Sequence, residues 1–73
     1  MAKIEAKSDV TGFVTSLEAK VGDRLDPGGV VMFIESMKMQ IPVTVEDGGT
    51  VRQILVAEAD TVSEGQVVAI LEE

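Results

Sequence analysis

The chain contains no cysteine, no histidine, no tryptophan and no tyrosine, and its only aromatic residues are two phenylalanines. Without cysteine there is no disulfide framework and no thiolate metal site. Without histidine the usual general base near neutral pH is missing, and so is a common metal ligand. No catalytic residues and no metal site are therefore expected. Basic residues are also scarce: six Lys and Arg stand against thirteen Asp and Glu, a formal net charge of −7. Binding to phosphate requires a basic surface, so no nucleic-acid partner is expected. The same charge disfavours an anionic membrane surface. No apolar run is long enough to cross a bilayer. The opening residues, from Met1 to Asp9, carry neither an apolar signal region nor an Arg-rich amphipathic stretch. The expectation is a soluble cytoplasmic protein without a membrane association.

What the chain does have is valine, with twelve copies among 73 residues. The length allows one domain, residues 1–73, whose core must be efficient because so small a fold buries a modest fraction of its surface. A β-branched, aromatic-poor core favours strands.

The sequence also repeats itself at an offset of 37 residues. Gly12 falls on Gly49, Val14 on Val51, Asp23 on Asp60, Gly28 on Gly65, Val30-Val31 on Val67-Val68 and Glu35 on Glu72. Between them Leu17 meets Ile54, Leu25 meets Val62, and Phe33-Ile34 meets Ile70-Leu71. The register holds from Gly12 to Glu35 without a gap. Each half is too small to fold alone, so the two should share one core about a pseudo-twofold axis.

Each half reads as strand, turn, strand. Phe13–Glu18 and Thr50–Val56 are predicted strands, and both break alternation in the same place, which suggests a shared β-bulge. Val30–Glu35 and Val67–Glu72 are near-continuous apolar runs of the kind found in well-buried strands. Met39–Val45 alternates, with Met39, Ile41, Val43 and Val45 on one face. Pro42 has no N–H to give a ladder, which places that strand at an edge or at a bulge. Gly22-Asp23, Pro27-Gly28-Gly29, Asp47-Gly48-Gly49 and Glu64-Gly65 mark turns. The one helix candidate, Val56–Thr61, is too short to stand alone. The fold class is all-β: a flattened barrel or sandwich of two small antiparallel sheets with a pseudo-twofold internal repeat.

One connection breaks the pattern. The strands ending near Glu35 and beginning at Met39 are joined by Ser36-Met37-Lys38, which demands a tight hairpin. Such hairpins favour Asn-Gly or Asp-Gly because their central residues often need positive φ. Here Met and Lys occupy the tip, whereas the other sharp turns carry glycine. A local rule broken at one point marks a place to look for function. An exposed hairpin lysine is ordinarily a solubilising charge and a block to edge pairing, and methionines ordinarily fill core gaps.

The string Glu35-Ser36-Met37-Lys38-Met39 resembles the attachment motif of the biotinyl/lipoyl domain family, and Met-Lys-Met resembles its biotinyl branch. The likeness covers nearly the whole chain, including Gly22-Asp23, the half-chain repeat and the Gly-Gln-Val-Val run from Gly65. It is greatest to stand-alone bacterial attachment proteins. The resemblance implies a non-catalytic carrier in which a biotin protein ligase activates biotin as its acyl-adenylate and the neutral amine of Lys38 forms the amide. Met37 and Met39 would flank the site and serve recognition by the ligase and later partners, with Ser36 and Glu35 completing the motif. Glu35 stands at the same place in both branches, and its repeat mate Glu72 suggests a strand-end charge instead. Biotin carboxylase and a carboxyltransferase would be the later partners, with the carrier a monomer.

Some positions depart from the family pattern. Ser8-Asp9 and Val45-Glu46 replace the usual Ala-Pro or Ser-Pro, and Ala59 precedes Asp60 where glycine is usual; all three are expected to be surface turn changes. No protruding loop, Pro/Ala-rich linker or larger enzyme is attached, so a complete free carrier is expected. Two other classes compete. A lipoyl carrier would use the same Lys38, but that branch usually has Asp-Lys-Ala at its tip; a dual biotin and lipoate attachment protein is a variant of this reading. An unmodified interaction module would take up neither group. A free-standing enzyme fits least, having neither His nor Cys to support its carboxylates.

Overall fold

The computed structural model describes residues 2–73, and among them it contains strands and turns but no helix. Eight strands run in chain order: β1 (Lys3–Lys7), β2 (Gly12–Leu17), β3 (Arg24–Leu25), β4 (Gly29–Ser36), β5 (Met39–Val45), β6 (Gly49–Ile54), β7 (Thr61–Val62) and β8 (Val67–Glu72). They form two four-stranded antiparallel sheets, β5-β4-β2-β7 and β1-β8-β6-β3. The first is called here the hairpin sheet and the second the terminal sheet.

The offset of 37 residues carries β2 onto β6, β3 onto β7 and β4 onto β8. It also carries β1 forward onto β5. The cross-strand pairs follow: Glu35 faces Gln40 and Ile34 faces Ile41, as Glu72 faces Lys3 and Leu71 faces Ile4. The register slips between Val14 and Ser16 and again between Val51 and Gln53, so the shared bulge read from the sequence is present in both halves. The Asp turns match too. Lys20 N donates to Asp23 Oδ2 at 3.1 Å, and Ala57 N donates to Asp60 Oδ2 at 2.9 Å.

Alternate residues of both sheets meet in a single core. Val14, Val31, Met32, Ile34, Val51, Val62, Val68, Ala69 and Leu71 are fully or almost fully buried. Each large aliphatic among them contributes about 1.5–3 kcal/mol on burial. β5 lies at the edge of the hairpin sheet, as Pro42 requires, with Pro42 facing Phe33. Its inward residues grow more exposed toward the hairpin, from buried Val45 and Val43 through half-buried Ile41 to Met39. The strand thus runs out of the body into the turn.

Several expectations need correction. Each half has a further two-residue strand, β3 or β7, in what reads as turn; two residues leave no periodicity to detect. The sequence also conceals β1, because Lys3, Glu5 and Lys7 alternate with only one large apolar residue, Ile4. Val56–Thr61 forms no helix: it is loop until β7 begins at Thr61. Ser8 and Val45 are not surface residues. Both are buried, and the Ser8 hydroxyl donates to the Val10 carbonyl at 2.6 Å, which satisfies the buried oxygen.

Candidate functional site

The β4–β5 hairpin closes with Ser36 facing Met39, leaving Met37 and Lys38 as the two central turn residues. Their φ angles are +52° and +66°. Both lie in the left-handed region that a two-residue hairpin demands and that glycine or asparagine would adopt more easily. For residues with a Cβ this conformation costs roughly 1–2 kcal/mol each. The flanking ladder imposes it, with Ile34 wholly buried just below the turn. Met37 is 92% exposed and Met39 64% exposed, so neither methionine fills the core.

Lys38 is exposed. The ion pairs among the described residues are Lys7–Glu5 and Arg52–Glu72, so none holds its ammonium. The molecule measures 35 × 19 × 19 Å, and under the repeat the hairpin turn is the counterpart of the chain termini. The amine is thus displayed in the turn that the repeat makes equivalent to the ends of the chain. The five residues Glu35–Met39 come together through sequence continuity.

Glu35 is half-buried below the turn. Its mate Glu72 accepts a hydrogen bond from Arg52 Nε at 2.7 Å, the ion pair expected of a strand-end charge. Thr15 stands where Arg52 stands in the other half. Its hydroxyl donates instead to the Phe33 carbonyl at 3.2 Å. Glu35 therefore has no ion-pair partner among the described residues. A feature missed at the sequence level lies beside it: Phe13 faces Glu35 across the ladder and is 43% exposed. The clue was available in the repeat, where the mate of Phe13 is Thr50.

A groove of about 630 Å³ runs between β1 and β5, with Lys3, Lys7, Thr44 and Glu46 among its lining residues. Lys38 is not part of it. It is a presented amine rather than part of a pocket.

Residues 5–71 match the family model described as biotin-requiring enzyme. The chain belongs to the biotin/lipoyl attachment domain family. It is 36% identical over 58 residues to the biotin/lipoyl attachment protein of Bacillus subtilis, covering 80% of each chain. It is 32% identical to the dihydrolipoyllysine-residue succinyltransferase component of the 2-oxoglutarate dehydrogenase complex of Staphylococcus saprophyticus, across 93% of this chain but 16% of that protein. Among solved structures, urea carboxylase of Kluyveromyces lactis superposes with a TM-score of 0.92 at 32% identity, over 99% of this chain and 6% of that one. The two-sheet fold is thus that of an attachment domain also found within much larger carboxylases, and biotin is the prosthetic group for which the family is described.

Proposed function

We propose that this attachment domain is a biotin carboxyl carrier modified on Lys38. The observation that carries the reading is the Met37-Lys38 turn: an exposed amine, with no ion-pair partner among the described residues, held in a costly positive-φ conformation. A biotin protein ligase activates the biotin carboxyl group. Lys38 Nζ, after losing a proton, attacks the activated carbon; an amide bond forms and the activating group leaves with its electron pair. Lys suits the role because its amine becomes nucleophilic once deprotonated. Acylation removes the Lys38 charge and leaves the carrier one unit more negative than −7.

Once attached, biotin supplies a ureido nitrogen that carries a carboxyl group from biotin carboxylase to a carboxyltransferase. The carrier itself contributes tethering, which turns a bimolecular encounter into an effectively intramolecular one. It catalyses nothing, and works as a cytoplasmic monomer that visits its partners in turn.

A second reading has a specific support: the relative from the 2-oxoglutarate dehydrogenase complex is named for a dihydrolipoyllysine. Lipoate would occupy the same Lys38. Met-Lys-Met at the tip favours biotin. The test is intact-protein mass after incubation with biotin protein ligase, biotin and ATP, beside Lys38→Arg. The guanidinium of the variant keeps the charge but cannot be acylated in this way, so one biotinyl group is expected on the parent and none on the variant. Uptake that survives on the variant removes Lys38 from the site; uptake only with a lipoyl ligase moves the protein to the lipoyl reading.

A further inference from the structure

The internal repeat supplies a control that single-fold proteins lack. Positions 37 residues apart sit in equivalent strands, with equivalent partners, so the fold makes the same demands on both. Where exposed mates differ in chemistry, the shared backbone geometry does not by itself explain the difference.

The outer faces of the two sheets differ systematically. One cross-strand row of the terminal sheet runs Arg24-Thr50-Glu72-Lys3. The equivalent row of the hairpin sheet runs Thr61-Phe13-Glu35-Gln40. The next rows are Gln53-Ile70-Glu5 and Ser16-Phe33-Pro42. Five charged residues of the terminal sheet, Lys3, Glu5, Lys7, Arg24 and Arg52, have uncharged mates in Gln40, Pro42, Thr44, Thr61 and Thr15. No strand of the hairpin sheet contains Lys or Arg. Both aromatic residues of the chain lie on this same sheet, outside the core. Phe13 and Phe33 occupy adjacent rows, with exposed Pro42 opposite Phe33. Acids stand within and beside the sheet: Glu35 within it, Glu18 and Glu46 just beyond β2 and β5, and Asp60 just before β7, with Glu46 also lining the β1–β5 groove and Asp60 accepting from the Ala57 amide.

We infer that the outer face of the hairpin sheet, centred on Phe13, Phe33 and Pro42, docks the enzyme that acylates Lys38, and that this enzyme meets it with an apolar patch rimmed by Lys or Arg. The inference rests on the biotin-carrier reading. Two observations select this occupant. The first is charge: an uncharged centre with acids beside it is complementary to an apolar patch with a basic rim. The second is reach. Before acylation the Lys38 side chain extends only about 6 Å from its Cα, given carbon–carbon bonds of about 1.5 Å. An enzyme that must seat this amine has to contact the body of the carrier. Partners that use the attached group meet a much longer arm. The tip alone, with Met37 and Lys38 as its two turn residues, is too small for a standard interface of about 800 Å² per partner and roughly 20–30 residues a side. The contact must extend down one face, and the face that is continuous with the hairpin and free of basic residues is this one.

The repeat also designs the test. Phe13→Thr, Pro42→Glu and Thr15→Arg each install the residue that the other sheet already carries at that place. Lys3→Gln, Lys7→Thr and Arg24→Thr do the reverse on the terminal sheet. The readouts are kcat/KM for ligase-catalysed biotin uptake and the thermal midpoint of each variant. Each hairpin-sheet change is expected to lower kcat/KM tenfold or more in variants that remain folded at the assay temperature, with the terminal-sheet changes within twofold of the parent. Thr15→Arg alone should also lower the midpoint, because it loses the bond to the Phe33 carbonyl. The three hairpin-sheet changes are independent, so loss of folding in one leaves two to decide the matter. A parent that takes up no biotin overturns the carrier reading and this surface with it. A parent that is labelled normally, with hairpin-sheet variants within twofold or terminal-sheet variants equally impaired, overturns the surface alone.

Discussion

At Met37 and Lys38 the chain accepts a conformation that its own stability opposes. Met37 is almost fully exposed, so its side chain returns little burial energy to the fold. Asparagine tolerates positive φ without the added unfolded-state freedom of glycine. Met37→Asn should therefore raise stability by about 0.5–1 kcal/mol, on the scale of backbone strain at such positions, while slowing acylation of Lys38. A higher urea midpoint together with a lower labelling rate would place the value of Met37 outside the carrier. Ala59 offers a comparison without a functional neighbour. It sits at φ +74°, where its mate Gly22 sits at +98°, and the Ala59 and Gly22 amides donate to Val14 O and Val51 O, both at 2.8 Å. Ala59→Gly relieves left-handed strain but enlarges the unfolded ensemble; the first effect wins, for a net gain of about 0.5 kcal/mol. Gly22→Ala has open space for its Cβ, yet should lose about 1 kcal/mol from φ alone. Opposite shifts in thermal midpoint are the expected result, and equal shifts would contradict it.

At the scale of elements, the repeat made most of the fold legible before any coordinates. β5 and β8 begin and end where alternation and apolar runs place them, and the paired bulges follow from paired breaks at Val14–Leu17 and Val51–Ile54. The missing strands had physical reasons to be missed: β3 and β7 are two residues long, and β1 buries Ala6 against Ala69, a pair too small to register as a hydrophobic stripe. Two signals singled out Lys38, a turn lacking glycine and the resemblance of Glu35–Met39 to an attachment motif; the exposed turn position was legible from the first. Phe13 was overlooked, since an apolar residue in a strand reads as core unless its polar repeat mate, Thr50, is weighed against it. The same symmetry yields a prediction about the sheets as structural units. Ile34 and Leu71 are mates, both wholly buried at equivalent places in β4 and β8. Ile34→Ala and Leu71→Ala should each cost about 2–5 kcal/mol, with similar m-values in urea. A large disparity between them would show that one sheet folds without the other, against a single shared core.

At the scale of the whole molecule, the pseudo-twofold axis separates attachment from connection. It carries the Ser36–Met39 turn onto the place where the first and last strands meet. Pairing of Lys3 with Glu72 brings the first and last strands together there. A chain joined at either terminus leaves from the place equivalent to the hairpin in the other half, not from the hairpin itself. The same geometry suits both a small separate carrier and a domain occupying 6% of a large carboxylase such as the matched urea carboxylase. Fusing a folded protein to either terminus through a short flexible linker should leave the kcat/KM for biotin uptake within twofold of the parent. The same passenger inserted at Asp47-Gly48, in the turn between β5 and β6, should lower uptake more. The Gly48 backbone packs so closely on Leu25 and Asp26 that a Cβ there would collide with the Leu25 carbonyl oxygen, and displacing it disturbs the strand that leads directly to Lys38. Equal uptake from all three fusions would mean that the hairpin is insensitive to its supporting sheet; loss in the terminal fusions would mean that the acylating enzyme reaches the termini as well.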